Sequence, residues 1–211
     1  MLNVRFYWFY QNIRTENVFV SNGNLIIEAR KENYNGNSYT SGRLTTAGKK
    51  EFQYGRIDIR AKLPVAKGMW PALWMLGSNF SQTGWPACGE TDIMELVGAN
   101  PDQVVGSFHW KKQDGSHGII NNNYNLSTGD FSQKFHVFSL LWIQDSLQIL
   151  VDDQPYSAAG KLSIASGNYP FNASSFFIFN IAVGGDWPGP PDATTIFPQH
   201  LFVDYVRVFQ K

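Results

Sequence analysis

Between Phe52 and Leu63 the chain alternates like a ruler: Ile57, Ile59, Ala61 and Leu63 fall on one parity, Arg56, Asp58, Arg60 and Lys62 on the other. A side-chain period of two belongs to an extended strand with one face on a core and the other in water, the usual state of antiparallel sheets. Val18 to Val20 and Leu25 to Arg30 flank Ser21-Asn22-Gly23-Asn24, and Asn-Gly supplies the positive φ of a tight hairpin turn. Residues 31 to 38 read as a polar loop. Further strands are expected at 39–46, 72–76, 90–97, 104–110, 135–144, 147–151, 176–183 and 201–209, with a sharp turn at Asp152-Asp153-Gln154-Pro155. A 3.6-residue apolar period shows only weakly, around 157 to 166. Many strands, Gly- and Pro-rich turns and almost no helix predict an all-β sandwich or jelly roll. At 211 residues the chain fits a single domain, 1–211.

Residues 90 to 95 read Glu-Thr-Asp-Ile-Met-Glu, three carboxylates in six positions of a chain with only 16% charged residues. On a regular strand Glu90 and Asp92 share a face and Glu95 points to the other, where an unpaired carboxylate in the core is costly. One extra residue, a β-bulge between Asp92 and Glu95, returns Glu95 to its partners. All three acids then line one cleft. Two Glu side chains so placed reach the carboxyl separation of about 5.5 Å that retaining glycosidases use. Three close carboxylates cannot all ionise freely, so at least one pKa must rise, which is what a general acid needs. Ile93, Met94, Leu96 and Val97 make the segment too apolar for a solvated acidic edge strand.

Composition narrows the partners. Formal net charge is zero and no basic run appears, so neither nucleic acid nor an anionic membrane surface is an expected partner. No stretch approaches a membrane span, and Met1 to Tyr10 carries no apolar run of signal-peptide type. Aromatic residues make up 15% of the chain, suited to stacking on sugar faces as well as to filling a core. Cys88 is the single cysteine, so no internal disulfide forms; it reads as a buried small hydrophobe.

The run Gly84-Trp85-Pro86-Ala87-Cys88-Gly89-Glu90-Thr91-Asp92-Ile93-Met94-Glu95, preceded by Leu63-Pro64 and Gly68-Met69-Trp70-Pro71-Ala72-Leu73-Trp74-Met75-Leu76, closely resembles glycoside hydrolase family 16, in its laminarinase-like branch. The likeness continues through Gly106-Ser107-Phe108-His109-Trp110, Phe135-His136-Val137-Phe138 and the segment from Phe179 to Gly189, covering roughly residues 16 to 211. The resemblance implies a concanavalin-like β-jelly roll of two antiparallel sheets whose concave sheet forms an open glycan cleft. It also implies retaining endo-hydrolysis of β-1,3-linked glucans, with Glu90 as nucleophile, Glu95 as acid/base and Asp92 holding the proton balance between them. A β-glucan poly- or oligosaccharide is the implied partner, a monomer the implied state, and an extracellular or periplasmic site the implied location. Rival readings are a non-catalytic glycan-binding module on the same fold, and hydrolysis or transglycosylation of mixed-linkage glucan or a galactan.

Trp70, Trp74 and Trp85 stack on glucosyl rings or fill the core, and alternation alone does not settle which. By the resemblance His109 lies beside the acid/base, and Asn180 and Trp187 belong to the substrate-side strand and loop, whereas His136 packs structurally. Arg43 offers forked donors to sugar hydroxyls or is a surface charge. No cofactor is implied for catalysis. A structural calcium is a feature of the family, tying an N-terminal segment to the C-terminal strand at Asp204. Met1 to Tyr10 matches the family pattern poorly, so the first strand is expected to be truncated or rearranged, leaving an unpaired sheet edge, unless Val4 to Tyr10 forms a substitute.

Overall fold

The computed structural model describes residues 9–10, 14–164 and 168–210, the first pair as backbone. Among them lie fifteen strands, from β1 (Phe9–Tyr10), β2 (Val18–Ser21), β3 (Asn24–Tyr34), β4 (Asn37–Ser41) and β5 (Arg43–Thr45) through β6 (Gly55–Lys62), β7 (Met69–Gly77), β8 (Glu90–Glu95), β9 (Gln103–Lys111) and β10 (His117–Asn125). The series ends with β11 (His136–Ile143), β12 (Ser146–Val151), β13 (Gln154–Gly160), β14 (Ser175–Val183) and β15 (Gln199–Phe209). The larger sheet runs β1-β4-β3-β15-β6-β11-β12-β13, with β2 also on β3, and the smaller runs β10-β9-β8-β7-β14-β5. Every pairing is antiparallel except β1 on β4. The molecule is an all-β jelly-roll sandwich.

The core lies between the sheets and is built by parity. Ile57, Ile59 and Ala61 of β6 are fully buried and join one cluster with Leu73 and Met75 of β7, Phe108 of β9, Leu140 of β11 and Ile181 of β14. Each fully buried large aliphatic side chain contributes roughly 1.5–3 kcal/mol. The opposite parity of the smaller sheet is what matters for function. Trp70, Ala72 and Trp74 of β7, Ser107 and His109 of β9 and Asn180 of β14 point away from the core, with the acids of β8 between them.

Several boundaries differ from those read in the sequence. The 31–38 stretch is a continuation of β3 and the start of β4, joined at Asn35-Gly36, both at positive φ. The 39–46 stretch is two strands in different sheets, because the chain crosses from one sheet to the other at Gly42. That crossing brings Arg43 into register with Asn180 on the smaller sheet. The 157–166 stretch shows no helix among its described residues: β13 occupies it to Gly160 and a turn follows. β10 carries no apolar alternation yet pairs with β9 along its whole length. The edge expected to be bare is covered at Thr40 and Ser41 by Phe9 and Tyr10; residues 4 to 8 of the suggested substitute strand lie outside the described residues. Cys88 is buried, as expected.

Gly42 tests the crossing. A β-carbon there would meet Val18 Cγ2 at 2.3 Å and the Asn17 carbonyl oxygen at 2.9 Å. Gly42→Ala is expected to cost roughly 1–3 kcal/mol, the range of overpacked sites. A denaturant melt shows it; a midpoint equal to that of the unsubstituted protein contradicts the account.

Candidate active site

Strand β8 is central in its sheet, and both of its ladders break. Against β9 the register runs Glu90 to His109, Thr91 to Phe108 and Asp92 to Ser107, then jumps to Glu95 opposite Val105. Against β7, Trp74 faces Asp92 and Leu73 faces Met94, so Ile93 is the extra residue. The bulge read from the sequence is therefore present. Its driving force is visible in burial: Ile93 and Met94, consecutive in the chain, are both fully buried in the core. With two apolar neighbours turned inward, Glu95 emerges on the face of Glu90 and Asp92. The bulge carbonyl of Ile93 accepts a hydrogen bond from the Tyr156 hydroxyl of β13 at 3.1 Å. Gly106 leaves room for that phenol, since a β-carbon there would lie 2.8 Å from the oxygen.

The acids differ in surroundings. Glu95 Oε1 accepts from the Trp70 indole N–H at 2.9 Å, and Trp187 stands edge-on to Trp70 with ring centroids 5.2 Å apart. Asp92 is almost fully buried, with Oδ2 3.0 Å from His109 Nε2, close enough for an ion-pair contact although no aligned hydrogen bond forms. Glu90 Oε1 is 3.8 Å from the same nitrogen. Trp85, about half exposed, covers this end of the site at the His109 ring. On the other side Asn180 Oδ1 accepts from the Trp74 indole N–H at 2.8 Å, and the Arg43 guanidinium lies 4.9 Å from the Trp74 ring centre. The ten residues singled out in the sequence thus converge on one face.

Two details depart from the reading. His109 is in the cleft, but its neighbours are Asp92 and Glu90 and not the acid/base, because register places it opposite Glu90 while Val105 faces Glu95. Asp92, expected to hold the proton balance between the two glutamates, has its close contact with His109. Sequence reasoning also missed His117 on β10, whose Nε2 is 2.8 Å from His109 Nδ1. The polar run around it gave no strand signal, so nothing in the sequence brought it across to His109.

Electrostatics separates the roles. All three carboxyls titrate above their ordinary range, and burial is the leading cause for each; mutual repulsion, the cause foreseen from spacing, comes second for Asp92 and Glu95. Glu90 is raised by burial but pulled back by His109, by donation from Trp85 and by Arg43. Glu95 and Asp92 are pushed well up, Glu95 by burial and then the Asp92 charge, with the Trp70 N–H opposing. One end acid is thus biased to the anion and the other to the acid, which a double displacement requires.

The family's calcium is a separate matter. Asp204 lies on β15 with Oδ2 2.6 Å from Arg60 Nη1. Calcium takes six to eight oxygen ligands, and a carboxylate already neutralised by a guanidinium does not fit that requirement among the described residues.

A sheet face carrying two differentiated glutamates around a buried aspartate, walled by tryptophans, is the arrangement of a glycoside hydrolase. Comparison with known sequences agrees: the model for glycosyl hydrolases family 16 matches residues 6–198, and the chain belongs to that family. The match begins upstream of residue 16, so it takes in part of the N-terminal segment judged atypical. A β-glucanase of Rhodothermus marinus is 40% identical over 213 residues, 96% of this chain and 73% of its own length. Glucan endo-1,3-beta-glucosidase A1 of Niallia circulans is 36% identical over 93% of this chain, which spans 31% of that protein. Among solved structures, the laminarinase catalytic domain of Thermotoga maritima superposes with a TM-score of 0.89 at 45% identity, covering 98% of this chain and 84% of that one.

Two experiments follow from the electrostatics. Trp70→Phe removes the donor that stabilises the Glu95 anion, so the Glu95 pKa should rise and the alkaline limb of the kcat/KM profile should move to higher pH; a limb that stays or falls contradicts it. Glu95→Gln addresses stability. Because the folded Glu95 binds its proton more tightly than the unfolded one, the cost of its charge is absent below about pH 4 and grows as pH rises through the folded pKa. The Tm advantage of the glutamine variant over the parent should therefore be nil at low pH and increase toward neutrality; a difference that shrinks with pH overturns the linkage.

Proposed function

We propose that this protein is an endo-acting, retaining β-1,3-glucanase, cutting internal linkages of β-glucans such as laminarin. The observation that carries the proposal is the bulged β8, which sets Glu90, Asp92 and Glu95 on one face with distinct proton affinities. In the first step Glu90, held as an anion by its donors, attacks the anomeric carbon while Glu95 gives its proton to the departing glycosidic oxygen. The bond to the leaving sugar breaks as the glycosyl ester to Glu90 forms. Glu95, now a carboxylate, takes a proton from water; the water oxygen attacks the same carbon and Glu90 leaves, restoring both groups and the β configuration. Asp92, buried between them and in contact with His109, absorbs the changing charge, so neither glutamate faces an uncompensated partner.

The cleft supports endo action. It crosses the strands of an open sheet face, with Trp85 near Glu90, the Trp70–Trp187 pair near Glu95, and Arg43, Trp74 and Asn180 continuing beyond. Tryptophan faces suit the apolar faces of pyranose rings, and the forked Arg43 donors suit hydroxyl pairs. The names of the relatives and structural neighbours, β-glucanases and laminarinases among them, support a β-1,3-glucan as substrate. A polymeric substrate fits a protein working outside the cytoplasm, and a site assembled from residues of one chain fits a monomer.

Glu90→Gln and Glu95→Gln are each expected to lower kcat/KM on laminarin by at least about 10²-fold, with circular dichroism unchanged. Azide distinguishes the roles: with an activated β-glucoside, Glu90→Ala should yield the α-glycosyl azide and Glu95→Ala the β-glycosyl azide. The reverse stereochemistry means the roles are exchanged. Reducing-sugar release on laminarin, lichenan, xyloglucan and agarose in parallel should be fastest on laminarin; agarose or xyloglucan as the fastest substrate refutes the linkage assignment.

A further inference from the structure

His117 lies on the outer strand β10, eight residues after His109 and outside the set of groups that the hydrolytic reading uses. The two imidazoles are nearly coplanar, 14° apart, with centroids separated by 5.0 Å and Nδ1 of His109 2.8 Å from Nε2 of His117. Such a separation is what two rings joined edge to edge through one N–H···N bond span, with the lone pair of one in line with the hydrogen of the other. Trp85 closes over His117 at 4.7 Å between ring centres and restricts its rotation. The other nitrogen of His109, Nε2, faces Asp92 Oδ2 and Glu90 Oε1 at 3.0 and 3.8 Å. With two carboxyl groups around it, Nε2 is the nitrogen on which hydrogen is favoured, although its N–H is not aligned on Asp92 Oδ2. His109 Nδ1 is then a lone pair when the ring is neutral, or an N–H when it is charged.

We propose that His117 is a positioning residue that fixes the tautomer of His109, so that His109 presents an N–H to Asp92 and Glu90 and the nucleophile stays ionised. A neutral His117 serves both states of its neighbour: it donates Nε2–H to the neutral His109, or accepts from the His109 cation after moving its own hydrogen to Nδ1. Two cations at this distance would repel, and burial, then the His109 and Lys112 charges, hold the His117 pKa below its ordinary value. The charged and titratable groups around it are Lys111, its register partner on β9, Lys112 and Asp114 in the connecting turn, His109 itself, and Glu90 and Asp92 beyond it on β8. The inference rests on the hydrolytic reading for its kinetic consequence but not for its structural one.

The test reads both. In protein labelled with ¹⁵N in its histidines, long-range proton–nitrogen correlation should show His109 as the Nε2–H tautomer at neutral pH. His117→Leu should mix the tautomers or reverse them. His117→Gln, whose amide can donate to Nδ1, should restore the Nε2–H form. On laminarin, His117→Leu should lose about fivefold in kcat, the size of one net hydrogen bond, with KM within about twofold. The acid limb should move to higher pH, because the His109 charge that lowers the Glu90 pKa is no longer held toward it. His117→Gln should recover most of both. An unchanged His109 tautomer and acid limb in His117→Leu overturns the proposal. So does a loss confined to KM, or a glutamine variant no better than leucine, since either makes His117 a substrate contact or a packing residue. If the unsubstituted protein hydrolyses none of the glucans, the hydrolytic reading fails while the tautomer measurement still decides this one.

Discussion

The structure turns on two consecutive core residues, Ile93 and Met94. A strand can bury alternate side chains at no cost to its ladder; burying neighbours requires that one residue drop out of register, and here that residue is supplied by β8 against both flanking strands. Everything catalytic follows from the displaced parity. Without the bulge Glu95 would stand opposite Pro71 and Val104 on the core face, where an unpaired carboxylate costs several kcal/mol. With it, the same carboxylate joins two others in a cleft, and the packing energy of the apolar pair is spent on holding three like groups together. The Tyr156 hydroxyl completes the device from the far sheet by satisfying the carbonyl that the ladder leaves over.

Placing the acids so is costly to stability, and the cost is part of the mechanism. Burial raises all three pKa values, and nothing in the site neutralises all of them. The difference between Glu90 and Glu95 comes from hydrogen-bond donors and positive charge: His109, Trp85 and Arg43 act on the first, Trp70 chiefly on the second. Two residues of one type, five positions apart in one strand, thereby differ in proton affinity.

Much of this was legible in the sequence because it is written in parity. The alternation of Ile57, Ile59, Ala61 and Leu63 gave β6, Asn22-Gly23 gave the first hairpin, and the conflict between Glu95 and its strand position gave the bulge. What stayed hidden is of two kinds. Solvated strands carry no apolar period, so the Asn35-Gly36 hairpin read as loop and β10, with His117 on it, was not among the expected strands. Changes of sheet leave parity intact, so 39–46 read as one strand although Gly42, where there is no space for a side chain, sends its halves to different sheets. The leading cause of the raised pKa values was missed for a related reason: spacing shows how close the charges are, while burial depends on the residues packed around them.

The distribution of the site over the fold has an evolutionary consequence. The three carboxylates sit on one six-residue strand locked between β7 and β9, whereas groups around them come in part from elsewhere: Trp85 and Trp187 from loops and Arg43 from a three-residue edge strand. Drift at the periphery can reshape the surface around the acids while the bulge that assembles them stays in place, with changes at Trp85 or Arg43 also felt by the Glu90 charge. A fold organised this way can acquire new substrates by altering its margins while inheriting the placement of its three carboxylates as one unit.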